Sequence, residues 1–162
     1  MNKIIVIYGS TTGTTEDVAG RIAAKLNTSA IPVSDLSQDV INDNDVLILG
    51  SSTWGAGELQ DDWYSGVDTL KAANLNGKKI AIFGCGDSSS YSDTFCDAIS
   101  IIYNAVAKSG ATLVGRVSKD GYSFDSSASL DGDEFLGLPI DEMNESHKTD
   151  ERIDAWLKSL NL

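Results

Sequence analysis

The sequence is poor in the residues that most often carry catalysis: its 162 residues include two cysteines and a single histidine, His147. One imidazole leaves zinc sites and histidine-dependent triads almost nothing to build from. Cys85 and Cys96 lack the C-x-x-C spacing and make a poor disulfide framework for a chain of this size, which points to a reduced, cytoplasmic protein. Basic residues are also scarce, 12 against 24 acidic ones, for a formal net charge of −12. Such a surface repels phosphate backbones and anionic headgroups, so nucleic acid and membranes are poor partners, and soluble proteins with basic faces are favoured. No stretch approaches the ~20 apolar residues of a membrane span. The run Ile4–Tyr8 is too short for a signal peptide.

What is present suits an ordinary core, with 41% hydrophobic residues. No repeat, low-complexity tract or Pro/Gly-rich linker interrupts residues 1–162, which read as one domain. Apolar runs typical of buried parallel strands occur at Ile4–Tyr8, Val46–Gly50 and Ile80–Gly84, with weaker ones at Ala30–Val33 and Thr112–Val114. Helical spacing places Val18, Ala19, Ile22, Ala23 and Leu26 on one face, and Phe95, Ala98, Ile99, Ile102 and Val106 on another. A last helix carries Ile153, Trp156, Leu157 and Leu160, with Thr149 as its expected N-cap. Cys96 falls at a helical position and His147 on the surface. Strands alternating with helices imply an α/β fold: a doubly wound sheet of five parallel strands in the order 2-1-3-4-5, covered on both faces. The Ser-, Asp- and Gly-rich segment 119–134 is an excursion interrupting the fifth strand, after which Phe135–Leu138 resumes an apolar run.

In such a sheet ligands sit outside the carboxyl ends of the strands, where the strand order switches. Three unusual loops meet there. The first, Ser10-Thr11-Thr12-Gly13-Thr14-Thr15, brings five hydroxyls and a glycine to a helix start, where backbone N–H groups and the helix dipole favour a phosphate. It holds no Lys or Arg, so it is not a Walker A loop, and neutral donors suit a monophosphate held permanently. The second is Thr53-Trp54-Gly55-Ala56-Gly57 and its sequel through Gln60: a tryptophan that either stacks on a flat ring, which the glycines let the main chain approach, or folds back onto the core. The third, Gly84-Cys85-Gly86-Asp87 through Tyr91 to Asp93, puts a second aromatic at the same edge. Together the two aromatics could sandwich a planar heterocycle with a phosphate tail.

These residues resemble the flavodoxin family over essentially the whole chain. S-T-T-G-T-T is similar to that family's T-x-T-G-x-T phosphate signature, T-W-G-A-G-E-L-Q-x-D-W to its second loop and G-x-G-D-x-x-x-Y to its third. The excursion resembles that of the long-chain subgroup. The resemblance implies a noncovalently bound FMN that shuttles electrons singly, without catalytic residues or a metal. The phosphate would lie on Ser10, Thr11, Thr12, Gly13, Thr14 and Thr15. The ring would lie between Trp54 and Tyr91, with Thr53, Gly55, Ala56, Gly57, Cys85, Gly86 and Asp87 completing the site. A peptide flip at Gly55–Ala56, as in the family, would turn a carbonyl toward the ring in the semiquinone. Ser10 and Cys85 depart from the family's more frequent threonines.

Between Leu26 and Leu70 there is no basic residue but eight carboxylates, Asp35, Asp39, Asp43, Asp45, Glu58, Asp61, Asp62 and Asp68. Negative charge there would raise the energy of an anionic hydroquinone and make the second couple strongly reducing. The same rim would steer docking to basic patches on reductases and oxidoreductases, the chain itself remaining a monomer. The rival is an FMN-dependent NAD(P)H:quinone reductase, which needs room over a ring face that Trp54 would cover. A phosphorylated receiver is disfavoured because the third strand ends in Gly50-Ser51-Ser52 without an aspartate. A cysteine phosphatase fails because Cys85 lacks the following phosphate loop and arginine.

Overall fold

The computed structural model describes residues 3–162. The three strongest apolar runs are the inner strands: β1 (Ile4–Gly9) leads through α1 (Thr14–Lys25) to β2 (Ala30–Pro32), and a short α2 (Gln38–Asp43) precedes β3 (Val46–Trp54). After β4 (Glu58–Leu59) and α3 (Trp63–Lys71) come β5 (Lys79–Cys85), α4 (Ala98–Val106) and β6 (Thr112–Val114). The short strands β7 (Val117–Ser118), β8 (Leu130–Asp131) and β9 (Glu134–Phe135) follow, then β10 (Leu138–Ile140) and α5 (Thr149–Leu160).

The parallel sheet runs β2-β1-β3-β5, and both β6 and β10 pair with β5. β6 lies beside Lys79–Ala81, and β10 beside Phe83–Cys85. The fifth strand is therefore one strand position filled by two pieces, and the expected order of five positions holds. The excursion between the pieces is longer than residues 119–134, and it is not irregular. β7, β9 and β8 form their own antiparallel sheet, so Phe135 belongs to the excursion and only Leu138 resumes the fifth position.

Period-two alternation sorts the core into two layers. Ile7, Leu47, Leu49, Ile80 and Ile82 face Trp63 and Leu70 of α3 and Ile99, Ile102 and Val106 of α4. Val6, Ile48, Ala81 and Phe83 face Val18 and Ile22 of α1 and Ile153, Trp156 and Leu160 of α5. Because side chains on both faces of β1, β3 and β5 are buried, these strands read as continuous apolar runs.

Three local expectations are corrected. Thr149 is the first residue of α5 rather than its cap, and its hydroxyl donates to Glu142 Oε2 at 3.0 Å. α4 begins at Ala98, so Phe95 and Cys96 precede it. Cys96 is not helical: it is fully buried at φ +52°, a left-handed conformation uncommon for a residue with a side chain. His147 is exposed as expected.

Candidate functional site

The carboxyl ends of β1, β3 and β5 are adjacent in the sheet: Gly9 pairs with Ser51, and Ser52 with Cys85. This edge includes the point where the order reverses between β1 and β3, and all three loops singled out from the sequence emerge there.

The first loop ends in an uncapped helix. Gly13 occupies the N-cap position of α1 at φ +96°, a conformation glycine adopts without penalty, and has no side chain to cap the helix. The first intrahelical bond runs from Asp17 N–H to the Gly13 carbonyl, leaving the N–H groups of Thr14, Thr15 and Glu16 without a helical acceptor. Ser10 Oγ accepts from Gly13 N at 3.1 Å and closes the turn. Thr11 and Thr12 are exposed, whereas Thr15 is 1% exposed, and among the described residues its hydroxyl meets no nitrogen or oxygen partner, only the weakly bonding thiol of Cys85. A buried hydroxyl left without a strong partner costs up to about 1–3 kcal/mol, which leaves room for a better partner supplied from outside the chain. The donors here are neutral N–H and O–H groups.

The second loop is a hairpin. Trp54 ends β3 and pairs with Glu58 of β4, and the turn closes with Gly57 N–H donating to the Trp54 carbonyl at 3.1 Å. Gly55 and Gly57 take φ +51° and +94°. The Trp54 indole is 39% exposed and donates through Nε1 to Ser52 Oγ at 2.7 Å. It does not fold back onto the core. That role falls to Trp63, fully buried with Nε1 donating to the Gly50 carbonyl at 2.7 Å.

The third loop leaves Tyr91 52% exposed. Asp87 shapes it as an Asx turn: its Oδ1 accepts from Ser89 N at 3.1 Å, Ser90 N at 3.0 Å and Asn144 Nδ2 at 2.8 Å. The Ser90 N–H leads in holding the Asp87 carboxyl below its ordinary value. Fully buried Asp141 anchors the same loop from the end of β10, accepting from the Ser88 hydroxyl and from Ser88 N. Cys85 is buried at the end of β5, and burial pushes its thiol up to about 12, so it stays protonated and unreactive.

Two polar residues without an assigned role in the sequence reading tie the loops together. Gln60, 3% exposed, donates through Nε2 to Thr11 Oγ1 at 3.2 Å and accepts at Oε1 from Asp62 N at 3.0 Å. Asn144 joins Asp87 to Asp141. Carboxylates surround the edge at Glu58, Asp61, Asp62, Asp87 and Asp93. Arg21 of α1 is already paired, with Asp17 and Glu142 at 2.8 Å each.

This edge presents uncapped helix donors, an orphan hydroxyl and two exposed aromatics on neighbouring loops, and comparison with known proteins agrees. The family model for flavodoxin matches residues 6–156. The chain belongs to the flavodoxin family. A flavodoxin from Klebsiella pneumoniae is 40% identical over 99% of this chain and 93% of its own length. Flavodoxin 1 of Escherichia coli K12 is 40% identical over 96% of this chain and 90% of its own. Among solved structures, Fusobacterium nucleatum flavodoxin bound to flavin mononucleotide is 27% identical, with a TM-score of 0.92 over 99% of this chain and 98% of its own. The flavodoxin sheet therefore places all three sequence motifs on one edge.

Proposed function

We propose that the chain is a low-potential, one-electron carrier on noncovalent FMN, serving soluble redox enzymes with basic docking faces. Membership of the family already makes it an FMN-based electron carrier rather than an enzyme. When bound, FMN supplies a ring that takes up and returns electrons one at a time. The residues fit that group, and the observation that carries the assignment is the uncapped start of α1, with the buried Thr15 hydroxyl beside it lacking any nitrogen or oxygen partner among the described residues.

On this reading Ser10 to Thr15 hold the phosphate with N–H and O–H groups alone. Trp54 and Tyr91 cover the two faces of the ring, the indole fixed by its bond to Ser52. Main-chain groups of Thr53 to Gly57 and of Cys85 to Asp87 reach the ring edges. Gly55, already at positive φ, lets the peptide to Ala56 turn and offer either its N–H or its carbonyl. Glu58, Asp61 and Asp62 keep the field at the ring negative, which resists the addition of further electrons. No described helix is long and apolar enough to cross a membrane, and a monomer in the cytoplasm completes the proposal.

The absorption spectrum of the purified protein tests the cofactor: flavin bands are expected, and material that stays colourless after incubation with FMN overturns the assignment. Reduction by a basic reductase should slow as salt rises, because the docking charges are screened. A rate independent of ionic strength overturns the docking part.

A further inference from the structure

The excursion grips the segment that links Tyr91 to α4. Ser92 Oγ accepts from Asp125 N at 2.7 Å, and the Ser126 hydroxyl donates to the Asp93 carbonyl at 2.6 Å. The Ser127 hydroxyl donates to the Phe95 carbonyl, and the Ser129 hydroxyl to the Cys96 carbonyl at 2.7 Å. At the end of this strap lies Asp97, whose Oδ1 accepts from Ala128 N at 2.7 Å and from the Ser127 hydroxyl at 3.4 Å. The other side of the same carboxylate packs against the hairpin turn of the second loop. A Cβ placed on Gly57 would lie 2.6 Å from Asp97 Oδ2, closer than such atoms approach, and a tight 3.0 Å from Asp97 Cβ. The next residue, Ala98, donates its N–H to Thr53 Oγ1 at 3.2 Å, just ahead of Trp54.

We propose that Asp97 is a positioning residue: it transmits the hold of the excursion to the turn Trp54–Gly57 and so sets the ring-binding hairpin against the Tyr91 loop. The proposal rests on the reading that these two loops hold FMN. It assigns the excursion a task in the cofactor site, although none of its residues lies on the three loops. Burial pushes the Asp97 carboxyl up, opposed by the Ala128 N–H and the Ser127 hydroxyl. An uncharged side chain of the same shape is therefore expected to fit. Asparagine keeps the Oδ1 acceptor for Ala128 and the volume against Gly57, whereas alanine removes both.

The test titrates the apoproteins of wild type, Asp97→Ala and Asp97→Asn with FMN, recording affinity and the visible difference spectrum, with urea unfolding of each apoprotein alongside. Loss of a hydrogen bond to a carboxylate predicts FMN binding about tenfold weaker in Asp97→Ala, with an altered difference spectrum. Asp97→Asn is expected to restore both. Wild-type affinity in Asp97→Ala overturns the proposal. So does an Asp97→Asn variant as weak as Asp97→Ala, which would mean charge rather than position, or a loss that merely tracks lower urea midpoints. If Asp97→Ala does not fold, Ser127→Ala, which loosens the same strap, should weaken FMN binding, and unchanged binding there overturns the proposal. A wild-type protein that takes up no FMN is a separate result that overturns the cofactor reading itself.

Discussion

Replacing Thr15 by valine should move two measurements in opposite directions. The side chain is 1% exposed, and among the described residues its hydroxyl meets no nitrogen or oxygen partner, only the weakly bonding Cys85 thiol. Valine has nearly the same shape, so no cavity opens. In the apoprotein the substitution removes a buried polar group that folding leaves with only a weak thiol partner, a relief of up to about 1–2 kcal/mol. With a urea m-value of about 2 kcal/mol per M, the apoprotein midpoint should rise by roughly 0.5–1 M. With Thr15 on the phosphate as proposed, the same substitution would delete a hydrogen bond to an ionised group in the complex. That bond is worth about 1.5–3 kcal/mol, so FMN should bind about 10- to 150-fold more weakly. Riboflavin lacks the phosphate, and its affinity should not change. Urea titration of the apoprotein and fluorescence titrations with the two flavins provide the three numbers. A destabilised apoprotein, or equal losses for FMN and riboflavin, would refute the assignment of Thr15 to the phosphate.

Three further outcomes follow from the loops. Gly55→Val places a β-branched residue at φ +51°, so the turn loses conformations it needs, and the yield of half-reduced protein in a redox titration should fall; an undiminished yield contradicts the flip at Gly55–Ala56. Glu58→Gln removes one carboxylate beside Trp54, and at ~10 Å with an effective dielectric of ~20 this corresponds to about 1.7 kcal/mol, or roughly 70 mV in the second couple before screening. The midpoint potential should become less negative by an amount up to that size, and no shift at low salt would remove Glu58 from the argument. Asp87 has a depressed carboxyl, so its contribution is present in full above the ordinary value of 3.8 and is lost as the pH falls further. The stability gap between wild type and Asp87→Asn should therefore close in acid, and a gap independent of pH counts against the Asx turn as its source.

The inner strands were legible because parallel strands buried on both faces must be apolar at every position, which Ile4–Tyr8, Val46–Gly50 and Ile80–Gly84 satisfy. The three loops were legible because each concentrates unusual residues in a short stretch. The residues that hold the loops together were not. Gln60 meets Thr11 across 49 positions, Asp97 meets Ala128 across 31, and Ser88 meets Asp141 across 53. Each is a single polar side chain whose partner is set by topology, so no local pattern marks it. The internal sheet of the excursion was missed for a related reason, since strands of two residues are too short to show alternation. Cys96 was misread because Phe95, Ala98 and Ile99 do share a buried surface, but a left-handed residue rather than a helical turn brings Phe95 there.

Trp54 and Trp63 show one motif yielding an exposed indole and a buried, supporting one. Both indoles donate to a group near the end of β3, Trp54 to Ser52 and Trp63 to Gly50, yet one is exposed and the other fully buried. The last side chain of β3, Trp54, is exposed, while Trp63 starts α3 and turns inward among Val33, Leu59 and Leu70. Neutral donors at the proposed phosphate site would serve a matching economy of charge. A lysine in the first loop would hold the phosphate more strongly. At ~10 Å from the ring, however, it would offset about one carboxylate of the rim, roughly 70 mV by the same arithmetic. On the proposed reading, helix N–H groups and hydroxyls would hold the anion without that offset and leave the rim its full negative field at the ring.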